Sequence, residues 1–264
     1  MVLLINDEQN CPGGEGLLSG PREQEFHILD ILSEESTPVG AGAIRQALDD
    51  RGLTLSEATV GRVLRELDHR GYTKKSGFQG RSLSPEGASR LEALREERGH
   101  TLSARVLLDE LKSQGIEKIL DVLVARRAIE RETARLAARM ATAEEIERLR
   151  NLVAQQENAL RKKESVAPFD AAFHREIARI SRNAILAAAV DLIRQDVKLG
   201  PAFEYARKKA ASTLGSDHKS IIDAIAAHDE DRAEKAMVMH VENTLRDVQR
   251  YLDANPGLRK EHSR

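Results

Sequence analysis

LTLSEATVGRVLRELDHRGYTKKSGFQGRSLSPEG, residues 53–87, decides how the first third of the chain folds. Val60, Val63, Leu64 and Leu67 recur at the i, i+3, i+4, i+7 spacing that puts apolar side chains on one helical face. Ser56, just before them, suits a helix N-cap because its hydroxyl accepts an otherwise unpaired backbone N–H, and Gly71 suits the end. Thr59, Arg62 and Arg65 then face outward. The remainder, from Tyr72, reads as two short strands around a Gly-bearing turn, closed at Ser84-Pro85.

Upstream, residues 22–35 (REQEFHILDILSEE) set Phe26, Leu29, Ile31 and Leu32 on an amphipathic helix that breaks at Ser36-Thr37-Pro38. A second short helix, AGAIRQALDD, stops at Arg51-Gly52. Three short helices followed by a hairpin is the order of a winged helix-turn-helix.

Charge in this region departs from the rest of the chain. The protein as a whole carries a net charge of −2, which by itself says nothing about partners. Between Arg62 and Arg81, however, Arg62, Arg65, Arg70, Lys74, Lys75 and Arg81 face only Glu66 and Asp68. Phosphate neutralisation needs clustered cations, and base reading needs short polar or Arg side chains in the first half of a helix slim enough for the major groove. Ser56, Thr59, Arg62, Arg65, Lys74, Lys75 and Arg81 are therefore the candidate DNA-binding residues. A solvated helix beside a Lys-bearing edge hairpin would leave the same charge pattern.

Downstream the character changes. A charged helix over about Glu86 to Arg98 leads to Gly99, and everything beyond about Thr101 follows a helical pattern. One run spans Ile116 to Met140. Thr142 and Glu145 form a capping box for the next, through about Lys163. Pro168, Asn183 and Pro201 each open a further helix, and two last ones span about Ser216–Ala227 and Asp229–Leu252. The expected fold is thus mainly α: an N-terminal winged helix-turn-helix with a small β-hairpin over residues 21–85, a helical linker over 86–105, and an antiparallel all-α bundle over 106–253. Residues 1–20 read as a disordered leader and 254–264 as a tail.

The composition agrees. Of 264 residues, 41% are hydrophobic and 32% charged, as in a soluble globular protein, and aromatics are only 3% with no Trp, which favours helix over strand. The single cysteine, Cys11, excludes an internal disulfide framework. The N-terminal apolar run is too short for a signal peptide and no run reaches membrane-spanning length, so a cytoplasmic protein is expected.

Inside the bundle, FDAAFHREIARIS, residues 169–181, places Asp170 and His174 four positions apart beside the apolar stripe of Phe169, Phe173, Ile177 and Ile180. That spacing stacks both side chains on one face, either as a hydrogen-bonded pair or as two ligands to one metal ion. His218, in line with Ile222 and Ile225, and His240, in line with Met237 and Thr244, also point to a core. Three imidazoles and a carboxylate from separate helices need several separate partners or one shared cation. His27, His69, His100, His228 and His262 fall at surface, loop or tail positions and are set aside.

Two resemblances follow from these segments. FHILDILSEESTPVGAGAIRQAL (26–48), LSEATVGRVLRELDHRGY (55–72) and SLSPEG (82–87) resemble the winged-helix module of ribonuclease R and of NrpR-type regulators. SEATVGRVLREL is also similar to the recognition helix of GntR-family regulators, but Glu57 and Gly61 stand where Arg is usual in that family, so only Ser56, Thr59 and Arg62 are carried over as base contacts. ARRAIERETARLAARMAT (125–142), FDAAFHREIARISRN (169–183), HKSIIDAIAAHDEDRAEKAM (218–237) and MHVENTL (239–245) resemble the FadR C-terminal, or FCD, ligand-binding domain of GntR-type regulators, over roughly residues 102–252.

The second resemblance implies that Asp170, His174, His218 and His240 hold a divalent cation, and that Arg126, Glu130 and Asn183 belong to an effector site. The donor set suits Zn first, with Ni, Mn or Co as alternatives, and leaves positive charge to attract an anion. Arg126 either clamps that anion or pairs with Glu130 one turn along. The expected function is a ligand-responsive transcription regulator rather than an enzyme, with a double-stranded DNA operator, a small anionic effector and a second copy of itself as partners. The competing readings are a metal-dependent hydrolase, against which no additional carboxylate stands out near the cluster as a general base, and a metal-free dimerisation scaffold.

Overall fold

A computed structural model describes residues 17–112, 116–194 and 214–255. These divide into two compact units that meet between Leu108 and Asp109. Of the expected leader over 1–20 and the expected tail over 254–264, residues 1–16 and 256–264 lie outside the described residues, as does the helix expected to open at Pro201.

The N-terminal unit runs α1 (Gly20–Glu34), α2 (Ala41–Asp50), α3 (Glu57–His69), β1 (Thr73–Lys75), β2 (Arg81–Leu83) and the first part of α4 (Pro85–Lys112). Its core joins Ile28, Leu29 and Leu32 of α1 to Ile44 and Leu48 of α2, Val60, Leu64 and Leu67 of α3, and Leu91 and Leu94 of α4. Each such burial contributes about 1.5 to 3 kcal/mol. The Ser56 hydroxyl accepts from the Thr59 N–H at 3.2 Å, the expected N-cap.

Strands β1 and β2 pair antiparallel with Lys75 opposite Arg81. The hairpin is tied to the helices at its base. Val39 and Arg81 exchange two backbone hydrogen bonds of 2.8 and 2.9 Å. Two glycines permit the close approaches: a Cβ on Gly80 would stand 2.2 Å from the Val39 carbonyl oxygen, and one on Gly87 2.0 Å from that of Tyr72.

Gly99 does not end a helix as the sequence pattern suggests. α4 passes through it to Lys112, because an interior glycine weakens a helix by only about 1 kcal/mol relative to Ala.

The C-terminal unit continues with α5 (Ile116–Met140), α6 (Ala143–Arg161), α7 (Ala167–Ile180), α8 (Ala184–Arg194), α9 (Leu214–Ala226) and α10 (Glu230–Asp253). The capping box of Thr142 and Glu145 is present at the start of α6. Ala134, Ala137 and Ala138 are fully buried on α5, and these small side chains let the long α10 pack closely along it. Phe173 and Ile177 of α7, Ile221 and Ile225 of α9, and Met237 and Val241 of α10 complete the core. No helix among the described residues is long and apolar enough to cross a membrane.

Candidate functional site

Helices α7, α9 and α10 bring Asp170, His174, His218 and His240 to one point inside the bundle, with one donor atom of each within 4.8 Å of all the others. The imidazoles are buried, at 1%, 0% and 1% exposure. Thus His174 lies within the buried face of α7, not at its margin. The ring centroids of His174 and His240 are 5.0 Å apart and those of His218 and His240 4.6 Å, while Phe173 stacks on His218 at 4.3 Å.

The ring orientations favour a shared cation. His218 Nδ1 lies 2.8 Å from Gln156 Oε1; a carbonyl oxygen only accepts, so the ring carries its proton there and turns the Nε2 lone pair inward. His218 Nε2 stands 3.4 Å and His174 Nε2 3.8 Å from Asp170 Oδ1. All three atoms are buried and none makes a well-aligned hydrogen bond among the described residues. Convergent polar atoms left in this state cost free energy that one cation would offset. Imidazole and carboxylate donors at this spacing fit a divalent transition metal.

A charged network surrounds the cluster. Glu130 accepts from Arg126 Nε at 2.9 Å and from Arg194 Nε and Nη2, both at 2.9 Å. Its Oε2 also lies 2.8 Å from His174 Nδ1. Arg194 Nη1 donates to Asp170 Oδ2 at 3.0 Å, which leaves Oδ1 to face the imidazoles. Burial by itself would raise the Glu130 carboxyl, but Arg126 and Arg194 outweigh it and hold its pKa well below the usual range. Asp170 is likewise held low, against its burial, by His218, His174 and Arg194. Burial, and then Arg194, push the His174 imidazole down to about 4, so it is neutral at pH 7 as a metal ligand must be.

Arg126 and Glu130 therefore form the buried ion pair that their spacing allows. Val122, Arg126, Glu130 and Ala134 fall on one buried stripe of α5. The Glu130 carboxylate stands beside the cluster, but two guanidiniums share its oxygens and make it a poor base. Asn183 is placed differently: it is exposed, and its Oδ1 accepts the Ile185 and Leu186 N–H groups at 3.1 Å, capping α8. Arg194 and Gln156 are the residues that sequence reasoning missed. Gln156 falls in line with the buried Leu149 and Val153 of α6, and a polar residue in an apolar stripe was the available signal. His27, set aside as a surface residue, is half-buried and lies 3.2 Å from Glu23.

In the N-terminal unit, Arg62 and Arg65 on α3 and Lys74 and Lys75 on β1 are exposed and make no ion pair among the described residues. Thr59 is half-buried, and its hydroxyl lies 2.9 Å from that of Ser56. Arg81 differs from the other cations. Its guanidinium grips Asp68 through Nε at 2.9 Å and Nη2 at 2.8 Å, with only 15% of its side chain exposed. Thr73 donates to the same carboxylate at 2.5 Å. Burial would raise the Asp68 carboxyl; the bonds from Arg81 and Thr73 prevail and lower it. Arg81 ties the hairpin to α3 instead of standing free for a phosphate.

Comparison with known proteins places both units. Residues 121–243 match the FCD domain, and residues 26–91 match the ribonuclease R winged-helix domain. Over 68 residues the chain is 44% identical to the global nitrogen regulator NrpR of Methanococcus maripaludis, a stretch that covers 26% of this chain and 13% of that protein. Over 108 residues it is 32% identical to the "Putative L-lactate dehydrogenase operon regulatory protein" of Escherichia coli, covering 36% and 42% respectively. A solved structure of Streptococcus agalactiae GntR aligns with a TM-score of 0.44 at 19% identity, over 86% of this chain and 99% of that one. The chain thus spans less than half the length of either curated relative. It joins a winged helix of the ribonuclease R type to an FCD domain.

Proposed function

We propose that this protein is a DNA-binding transcriptional regulator whose C-terminal bundle holds a divalent metal ion and, beside it, a small anionic effector. The observation that carries the reading is the convergence of Asp170, His174, His218 and His240 within 4.8 Å inside an FCD domain. These four would be the ligands, with Zn preferred and Ni, Mn or Co as alternatives for the same donor set. When bound, the ion supplies a Lewis-acidic positive charge.

The chain's own residues do the rest. Arg126 and Arg194 offset the charges of Glu130 and Asp170, so the charge of a bound cation stands uncompensated in a buried site and favours an anion, a carboxylate above all. Gln156 and Glu130 orient the rings of His218 and His174. Asn183 enters only by fixing the start of α8, the helix that ends in Arg194.

In the N-terminal unit, α3 enters a major groove with Ser56, Thr59 and Arg62 toward the bases, while Arg65, Lys74 and Lys75 meet phosphates. A homodimer would read two half-sites related by twofold symmetry. An effector acts by its different affinity for the DNA-competent and DNA-incompetent arrangements.

The test is a duplex that the protein itself selects from a random pool. Its affinity should shift at least fivefold when a divalent cation and a panel of small carboxylates are supplied together. The His240→Ala variant should bind the same duplex without responding. A response that survives in the variant would contradict the assignment of this cluster.

A further inference from the structure

The hairpin presents a feature that the function above does not use. At its apex Ser76 to Gln79 forms a tight turn, with the Gln79 N–H donating to the Ser76 carbonyl at 3.0 Å and Gly77 at positive φ. Phe78 stands on that turn with 111% relative exposure, uncovered by any of the described residues. A single exposed apolar residue is ordinary. This one, however, tops a hairpin fixed at its base by the Val39–Arg81 bridge, the Gly80 contact and the Asp68–Arg81 grip. Lys74 and Lys75 lie on the adjoining strand, exposed and without an ion pair among the described residues.

A rigid stem, an aromatic tip and cations beside it suit a polyanion that also offers flat apolar faces. We propose that Phe78 is a wedge that enters a base step of double-stranded DNA from the minor groove, partly unstacking it, so that the protein bends the duplex it binds. Unstacking a step costs free energy, which the ring stacked on a base and the wider contact surface of a bent duplex more than return. Lys74 and Lys75 add to this by neutralising phosphates that flank the widened minor groove. Because Phe78 buries nothing in the fold, its removal leaves the unit intact. The wedge rests on the DNA-binding reading, and the experiment separates the two.

The probe is a duplex selected from a random pool by the full-length protein, carrying 2-aminopurine at successive positions and a fluorophore pair at its ends. Wild-type protein should raise 2-aminopurine emission at one or two steps and shorten the end-to-end distance. Phe78→Ala should lose both signals and bind roughly tenfold more weakly. The chain contains no Trp, so Phe78→Trp provides a lone indole whose emission should be quenched on binding while bending is kept. If Phe78→Ala binds, unstacks and bends the duplex as wild type does, or if the indole is unaffected by DNA, the wedge is wrong and DNA binding stands. If wild-type protein selects no duplex, the DNA reading itself fails and the wedge with it.

Discussion

The two candidate sites, one in each unit, carry their charge in opposite ways. In the N-terminal unit Arg62, Arg65, Lys74 and Lys75 reach into solvent, whereas in the C-terminal unit Arg126, Glu130 and His174 are at most 5% exposed. Surface cations without partners act at a distance, weaken with salt and contribute little to stability. Buried charges must be matched nearly one for one, and removing one member leaves another stranded. The first arrangement suits an interface and the second a preorganised internal site.

The sharpest way to break this contrast is inside the bundle. Glu130→Ala strands Arg126 and Arg194 in the interior and should destabilise the C-terminal unit by about 3 to 5 kcal/mol, read by denaturant unfolding. A cost below about 1 kcal/mol would show that the two guanidiniums are not dependent on Glu130.

Acid should act on the same unit. With the His174 imidazole at about 4 in the folded chain against 6.5 when free, the unfolded state binds the proton more tightly. Stability of the metal-free protein is therefore complete above about pH 6.5 and declines as pH falls toward 4. Protonation of the depressed carboxyls of Asp170 and Glu130 removes more stability at lower pH, in the same direction. A flat thermal midpoint between pH 7 and pH 4 would contradict the burial of this network.

Smaller effects distinguish the cations of the N-terminal unit from one another. Arg62→Ala should weaken binding to a selected duplex by about 1 to 3 kcal/mol at fixed salt with no change in folding. Arg81→Ala should do the reverse first, lowering stability by about 1.5 to 2 kcal/mol through loss of the grip on Asp68. Lys74→Ala and Lys75→Ala should each change stability by less than about 0.5 kcal/mol while reducing the salt slope of DNA binding by about 1. Equal behaviour of Arg81 and Lys74 in these two assays would erase the distinction drawn between them.

Local rules were sufficient where the determinants lie close together in sequence. The Ser56 cap, the Thr142–Glu145 capping box and the apolar spacing of α3 and α7 follow from such rules. His174, His218 and His240 each sit in an apolar stripe where they demand a partner, and the resemblance to the FCD domain joined them with Asp170 as one donor set.

What the sequence did not reveal are partners chosen across long separations. Glu130 and Arg194 are 64 positions apart and Gln156 and His218 are 62 apart, so no periodicity links them. Arg81 was misplaced for a related reason. Counting cations registers its sign but not the carboxylate of Asp68, 13 positions away, that holds it. Gly99 shows the limit of a propensity rule, since α4 continues through it.

Asp170, His174, His218 and His240 are proposed as one metal centre. Its most direct test is the metal content per chain by native mass spectrometry and elemental analysis, on protein purified without chelators or metal-affinity steps, for wild type and His218→Ala. One divalent transition-metal ion per wild-type chain and loss of that ion in the variant are expected; an ion-free wild type, or a variant that keeps its ion, would overturn the proposed centre.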